Sequence, residues 1–298
     1  MIKTQGAGSA AYGRPVKKRK RKHVGLFLLL LLMTLIAFLF YDSNTRLTTH
    51  EYPLYFDNLP SAFDGYRIVQ LSDLHAAVFG KENMGFIDAV KKTRPDIIVI
   101  TGDIINNDNA SGDDMGIATP LVRALVDIAP VYYVTGNHEW DSGRVRELLK
   151  MLGDSGVTAL RNDYARLTIG AASIVLAGVD DPNGPEDMKT PEQLVSDIRN
   201  REGAPFIVLL AHRNNYMDRF SRLGLDLVLC GHAHGGMIRL PFLGGLVGPT
   251  MEFFPEYTAG VYRSGGTTML VSRGVGNYTG LPRFLNNPEI PVVILKKS

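Results

Sequence analysis

Residues 96–103 read Asp96-Ile97-Ile98-Val99-Ile100-Thr101-Gly102-Asp103. A short β-branched run that stops at a glycine and a carboxylate reads as a buried strand ending in a tight polar turn. The pattern repeats outward in both directions. Similar runs lie at Tyr66–Leu71, Val131–Thr135, Ser173–Ala177, Phe206–Ala211 and Leu225–Cys230. Helix-like stretches separate several of them, at Asn83–Lys92, Ile117–Ile128, Ser142–Leu152 and Pro191–Arg201. Leu47–Phe56 reads as an edge strand, a position that tolerates its Pro53. Strands alternating with helices predict a layered α/β domain.

Five of these runs end in polar clusters: Ser72-Asp73-Leu74-His75, Gly102-Asp103, Gly136-Asn137-His138-Glu139, His212, and Gly231-His232-Ala233-His234. Ligands of open α/β sheets bind outside the carboxyl ends of the strands, so five such clusters can converge on one crevice. Of the seven histidines, only His23 and His50 fall outside them. Carboxylate, imidazole and amide oxygen are suitable ligands for manganese, iron or zinc. Asp73-x-His75 and His232-x-His234 each put two ligands on one strand end, and Asp103 has two oxygens with which to bridge two ions. Gly102, Gly136 and Gly231 allow close backbone approach. The candidates outnumber the four ligands of a structural zinc site. They suit two ions about 3.5–4 Å apart with a bridging hydroxide, a hydrolytic arrangement. Singly, each element has an ordinary reading: surface polar pairs, a satisfied structural histidine at His212, a turn at Asn137, a helix cap at Asp103. The joint pattern, in this order on strand ends, is the specific signal.

These motifs resemble those of the calcineurin-like metallophosphoesterases. The resemblance covers roughly Arg46 to the C-terminus and is greatest to the bacterial membrane-anchored branch, through Gly235-Gly236-Met237-Ile238-Arg239-Leu240-Pro241 and Val271-Ser272-Arg273-Gly274. It implies a four-layer α/β-β/α sandwich. It implies a first metal held by Asp73, His75, Asp103 and His234, and a second held by Asp103, Asn137, His212 and His232. His138 matches the family's non-ligand histidine, which meets the leaving oxygen. The expected cofactor is two divalent ions per chain, manganese first, with iron or zinc as alternatives. One departure is the stretch His212-Arg213-Asn214-Asn215, where the branch often has Asn-Pro after the histidine. The ligand is intact; the change falls on the substrate side of the cleft.

The chain has 298 residues and a net charge of +2. Eight Lys or Arg and no acid lie in residues 1–41, which leaves 24 basic against 30 acidic residues beyond, a net of −6. That balance disfavours a nucleic-acid partner read through its phosphates, and a nuclease with it. The single cysteine, Cys230, excludes a disulfide framework and a thiolate zinc cluster; it reads as a small buried hydrophobe. Lys17–Lys22 form a run of cations, followed by the uncharged stretch Val24–Phe40. Residues 1–23 therefore read as a basic cytoplasmic tail, 24–41 as an uncleaved transmembrane signal anchor, and 42–45 as a short tether to a domain at 46–298. A cleaved signal peptide is the alternative, but no small-residue cleavage site follows. The positive-inside rule places the domain outside the cytoplasm, in a single-pass topology.

The expected function is a membrane-anchored two-metal hydrolase of phosphomonoester, phosphodiester or pyrophosphate bonds. The competing reading is a non-catalytic binding module on the same fold; lost ligands would favour it, and none is lost. Leu240–Val247 and Phe253-Phe254-Pro255 are apolar and punctuated by Gly and Pro, so they read as loops after His234. They form either an apolar lip beside the cleft, which suggests a lipid-linked substrate, or part of the core. Asp180-Asp181-Pro182-Asn183-Gly184 reads as a plain turn, with the cleft rim as the alternative. Trp140 reads as cleft lining or core.

Overall fold

The computed structural model describes Gly8 and residues 20–107, 113–277 and 281–298. Lys17, Lys18 and Arg19 of the basic run lie outside the described residues. The chain divides into two units, Met1–Leu39 and Phe40–Ser298.

The first unit carries most of α1 (Lys20–Thr45), a helix of 26 residues, about 39 Å at 1.5 Å per residue. Its stretch His23–Thr45 is long and apolar enough to cross a bilayer. Residues 42–45, expected as a short tether, form the last turn of this helix. They dock within the second unit: the Asn44 amide donates to the Arg283 carbonyl at 2.8 Å and its oxygen accepts the Arg283 N–H at 3.1 Å. The Asn287 amide donates to the Asp42 carboxylate, and Ser43 is buried. Side-chain partners for Asp42 and Asn44 explain why the chain stays helical here.

The second unit holds two six-stranded sheets. The first takes β1 (Thr48–Phe56), β2 (Arg67–Leu71), β3 (Ile97–Thr101), β4 (Val131–Val134), β5 (Thr158–Ala159) and the C-terminal strand Glu289–Lys297, which inserts between β1 and β2. The second takes β6 (Asp163–Ile169), β7 (Ala172–Gly178), β8 (Ile207–Leu210), β9 (Leu227–Cys230) and a late hairpin, Gly260–Ser264 and Thr267–Val271. β2, β3, β4 and β5 are mutually parallel, as are β7, β8 and β9.

Strand periodicity sorts the side chains into layers. In β3, Ile97 and Val99 face the second sheet, while Ile98 and Ile100 face helices. In β8, Val208 and Leu210 face the first sheet, while Ile207 and Leu209 face helices. One core therefore lies between the sheets. A second packs the first sheet on α2 (Met84–Lys92), α3 (Asp114–Val126) and α5 (Val145–Asp154). A third packs the second sheet on α6 (Pro191–Glu202) and α7 (Met217–Arg222). This is the expected four-layer α/β-β/α sandwich, with strands buried on both faces. Cys230 is fully buried in the third core, and burial pushes its thiol well above the usual range. It is a packing residue.

Candidate active site

The polar clusters sit at the carboxyl ends of β2, β3 and β4 in one sheet and β8 and β9 in the other. Asn137 and His138 open the short helix α4 (Asn137–Asp141). Backbone bonds knit the turns together: Asp73 N–H donates to Gly102 O at 3.1 Å, and His75 N–H to Asp103 O at 3.0 Å. Asp73, His75, Asp103, His232 and His234 all have φ between 45° and 66°. That region is disfavoured for side chains bearing Cβ, and such strain gathers at functional sites. A Cβ on Gly102 would lie 2.6 Å from His212 Nδ1, and one on Gly231 would lie 1.8 Å from Ser72 Oγ. These glycines are required for the clusters to meet.

Two overlapping groups of ligand atoms result. In the first, His75 Nε2 and His234 Nε2 lie 3.2 Å apart, His234 Nε2 lies 3.4 Å from Asp73 Oδ1, and His75 Nε2 lies 3.8 Å from Asp103 Oδ2. In the second, His212 Nε2 lies 3.1 Å from Asp103 Oδ2, 3.1 Å from Asn137 Oδ1 and 3.2 Å from His232 Nδ1. Two ligands each about 2.1 Å from one ion stand roughly 3.0–3.4 Å apart, so most of these spacings suit a shared ion. Asp103 links the two: it lies near His75 of the first group and His212 and His232 of the second, and it also forms a third possible ligand group with His75 and His138. All seven predicted ligands are brought together, and the donor set suits two divalent ions.

Proton positions agree for His212, whose Nδ1 stands 2.7 Å from the Thr101 carbonyl. A proton on Nδ1 leaves the Nε2 lone pair for a ligand role. Burial drives His75 down to about 3 and His232 and His234 well below the usual range, so all three are neutral imidazoles, the form that binds metal. Burial would lower His212 too, but the Asp103 carboxylate carries it up to about 10, so an ion at Nε2 would have to displace a second proton held there. Asp73 is pushed up to about 6, first by burial and then by the charge of Asp103. A buried acid cluster with this tension is relieved by added cations.

His138 lies close enough to His75 and Asp103 to share an ion with them, but its ring has a different partner. The backbone N–H of Asn107 donates to its Nδ1 at 3.0 Å. A neutral ring that accepts at Nδ1 carries its proton on Nε2. That Nε2 lies 3.9 Å from Asp103 Oδ2, so an N–H donor is aimed into the site.

Glu139 and Asn286 carry no role in the sequence reading, and Arg213 has only a general place beside the cleft. Glu139 is fully buried and accepts N–H bonds from Asp103 (2.9 Å), Ile104 (2.6 Å) and Gly136 (2.6 Å), clamping the turn after β3 to the turn after β4. The Asn286 amide donates to the His234 carbonyl at 2.7 Å. Arg213 pairs with Asp181 at 2.7 Å and donates to Asn183, while its Nη1 stands 3.1 Å from His232 Nε2. Arginine only donates, so that contact and an ion on His232 Nδ1 compete over which ring nitrogen holds the proton. The 180–184 turn thus reaches the site rather than forming a plain loop. Trp140 lies behind it: its indole N–H donates to Thr135 Oγ1 at 2.9 Å, and a Cβ on Gly184 would meet its ring at 2.9 Å. Beside His212 and Arg213 is a cavity of about 220 Å³, walled by Pro182, Pro185 and Met188.

Two mixed α/β sheets that direct carboxylate, imidazole and amide ligands into a dinuclear centre define a metallophosphoesterase. The model of the calcineurin-like phosphoesterase family matches residues 66–236, and the chain belongs to that family. It is 34% identical to the uncharacterized metallophosphoesterase YkuE of Bacillus subtilis, over 84% of this chain and 86% of that protein. It is 26% identical to the phosphodiesterase YaeI of Escherichia coli, over 77% of this chain and 82% of that protein. A transmembrane protein with metallophosphoesterase domain from Danio rerio is 29% identical over 81% of this chain, which spans 56% of that protein. The phosphopantetheinyl hydrolase PptH of Mycobacterium tuberculosis superposes at a TM-score of 0.44 and 13% identity, over 72% of this chain and 90% of that one. The chain is a metal-dependent phosphoesterase, and its apolar N-terminal helix, like the names of such relatives, points to a membrane anchor.

Proposed function

We propose that this chain is a membrane-anchored, two-metal phosphoesterase acting outside the cytoplasm on a lipid-linked phosphate ester or pyrophosphate. The observation that carries the reading is the pair of ligand groups linked by Asp103. Asp73, His75, Asp103 and His234 would hold one ion, and Asp103, Asn137, His212 and His232 the other. When bound, two divalent ions activate water near neutral pH and neutralise phosphate oxygens, which suits a domain of net charge −6 that must bind an anion. The chain's own contribution is orientation: Glu139 fixes the Asp103 turn, Asn286 fixes the His234 turn, and His138 Nε2–H stands ready for the leaving alkoxide. Manganese is the expected metal. Prolonged chelation should leave no ions by elemental analysis and no turnover, and manganese should restore both. Full hydrolysis by ion-free protein would overturn the reading. A panel of monoester, diester and pyrophosphate substrates then ranks the bond classes.

The lipid link rests on two features. Phe242 is fully exposed and Phe253 is 75% exposed, with Leu243 and Phe254 beside them. Core packing is therefore not the role of Phe242 and Phe253, while Leu246 is half-buried. Their loops are also tied to the end of α1: Arg239 N–H donates to Phe284 O at 2.9 Å, next to the Arg283 that Asn44 holds. An exposed apolar patch in a chain with a candidate membrane span supports a lipid-facing role.

The topology has its own test. Protease added to intact, wall-stripped cells should digest the domain and spare residues 1–23. Complete protection until lysis would place the domain in the cytoplasm.

A further inference from the structure

Residues 240–251 are twelve in a row without an ionisable side chain, bracketed by Arg239 and Glu252. With their neighbours they fold into a small ribbon of the second unit. Arg239 and Leu240 pair with Gly245 and Gly244, and Val247 pairs with Phe253, both antiparallel. Leu246 N–H donates to Ile238 O at 2.8 Å, and its carbonyl accepts the Phe254 N–H at 2.9 Å, so three short strands lie side by side. The ribbon is rooted next to the candidate metal centre. Val247 N–H donates at 3.3 Å to the carbonyl of Gly236, two residues beyond His234, and a Cβ on Gly236 would lie 2.6 Å from Gly245 Cα. Its outer side is apolar: Phe242 is fully exposed, and Leu243, Met251, Phe253 and Phe254 are each at least 60% exposed. Past its first two residues, the second unit has four other large apolar side chains this exposed in kind, Tyr55, Val78, Met84 and Ile169, and they are scattered along the chain. The three phenylalanines alone offer on the order of 400 Å² at the usual area of an aromatic side chain, within the range of a functional surface patch.

The turns that carry these side chains go against local preference. Phe242, Met251 and Phe254 have φ of 68°, 64° and 55°, the left-handed region in which glycine or asparagine would be at ease. A bulky apolar residue held there, and turned outward, gains nothing from the domain's own core, and such strain gathers where a segment meets a partner. The partner is selected by shape and by what the chain already carries. Protruding turns with no charge between them do not match a flat protein interface with its polar rim, whereas the headgroup–acyl boundary of a bilayer accepts apolar side chains of any outline. The second unit begins at Phe40, inside the stretch His23–Thr45 that is apolar enough to span a bilayer, so no free linker separates the domain from one. We propose that the 240–254 ribbon is a membrane-insertion wedge, whose Phe242, Leu243, Met251, Phe253 and Phe254 enter the interfacial layer of a phospholipid bilayer. The turn that bears His232 and His234 stands directly behind it. The inference rests on the reading of α1 as an anchor, adds a second and separate membrane contact, and does not depend on the chemistry of the metal centre.

The single cysteine, Cys230, is fully buried, so a cysteine placed on the surface can be labelled alone. Full-length Phe242→Cys and Phe253→Cys, each carrying a fluorophore, are reconstituted into phosphatidylcholine nanodiscs with and without a spin label on the lipid acyl chains near the headgroup. Both labels should lose at least half of their emission to the spin label. Leu30→Cys, inside the candidate span, is the reference for the anchor and should be quenched as well. Ile169→Cys, at the end of β6, is the reference for an exposed apolar residue outside the ribbon and should keep its emission. A melting curve like the parent's shows that a variant is folded, and Met251→Cys replaces either ribbon variant that is not. Unquenched labels at 242 and 253 on protein quenched at 30 would overturn the wedge, and a doubled mass in sedimentation would then assign the ribbon to contact with a second copy of this chain. Equal quenching at 169 would also overturn it, since general proximity to the lipid would explain the signal. Quenching at 242 and 253 without quenching at 30 would overturn the anchor and leave the wedge standing.

Discussion

Asp103→Asn is expected to be the most damaging single substitution in the molecule. Asp103 Oδ2 lies 3.1 Å from His212 Nε2 and 3.8 Å from His75 Nε2, while Oδ1 accepts the backbone N–H of His138 at 2.9 Å. An asparagine fails in either orientation. With its NH2 at the Oδ2 position, a donor replaces the shared anionic ligand. With its NH2 at the Oδ1 position, two donors face each other at His138, and the shared ligand is a neutral carbonyl. Removing a group that merely supports a metal ligand costs roughly 10–100-fold. Losing the shared carboxylate should exceed that, and elemental analysis should show fewer than two ions per chain. Two retained ions with turnover within tenfold of the parent would refute the bridging role.

The sandwich was legible because its strands obey local rules. β3 and β9 are β-branched or leucine-rich runs closed by Gly-Asp and Gly-His, and both core-facing sides of each are apolar. The convergence of the candidate ligands was legible for the same reason: short motifs at strand ends report on local backbone. What escaped was non-local. The strand Glu289–Lys297 inserts between β1 and β2, more than 200 residues away in sequence, and no periodicity announces its partners. Glu139 was visible inside a motif, but its clamp on Asp103 and Gly136 exists only once two turns meet. Arg213 and Asp181 pair across 32 residues, so a turn that reads as plain by composition becomes a wall of the site. The helix runs on past the expected anchor because Asp42 and Asn44 find partners at Asn287 and Arg283, distant in sequence.

His138→Ala should separate chemistry from metal binding. The N–H of Asn107 on Nδ1 favours a proton at Nε2, which suits the proposed role of His138 as a donor and not a ligand. Both ions should therefore remain, whereas His232→Ala should lose metal. Turnover should fall by about 10²–10⁴, the usual scale for a missing general acid. Such a fall could also come from a distorted site, since His138 packs edge-on against His75 at 4.7 Å. The leaving group tells the two apart. An alkoxide needs a proton as its bond to phosphorus breaks, and p-nitrophenolate scarcely does. A lost acid should slow an alkyl ester much more than a p-nitrophenyl ester, while a distorted centre slows both alike. Equal losses on the two esters, or fewer than two ions in His138→Ala, would remove His138 from the role of proton donor.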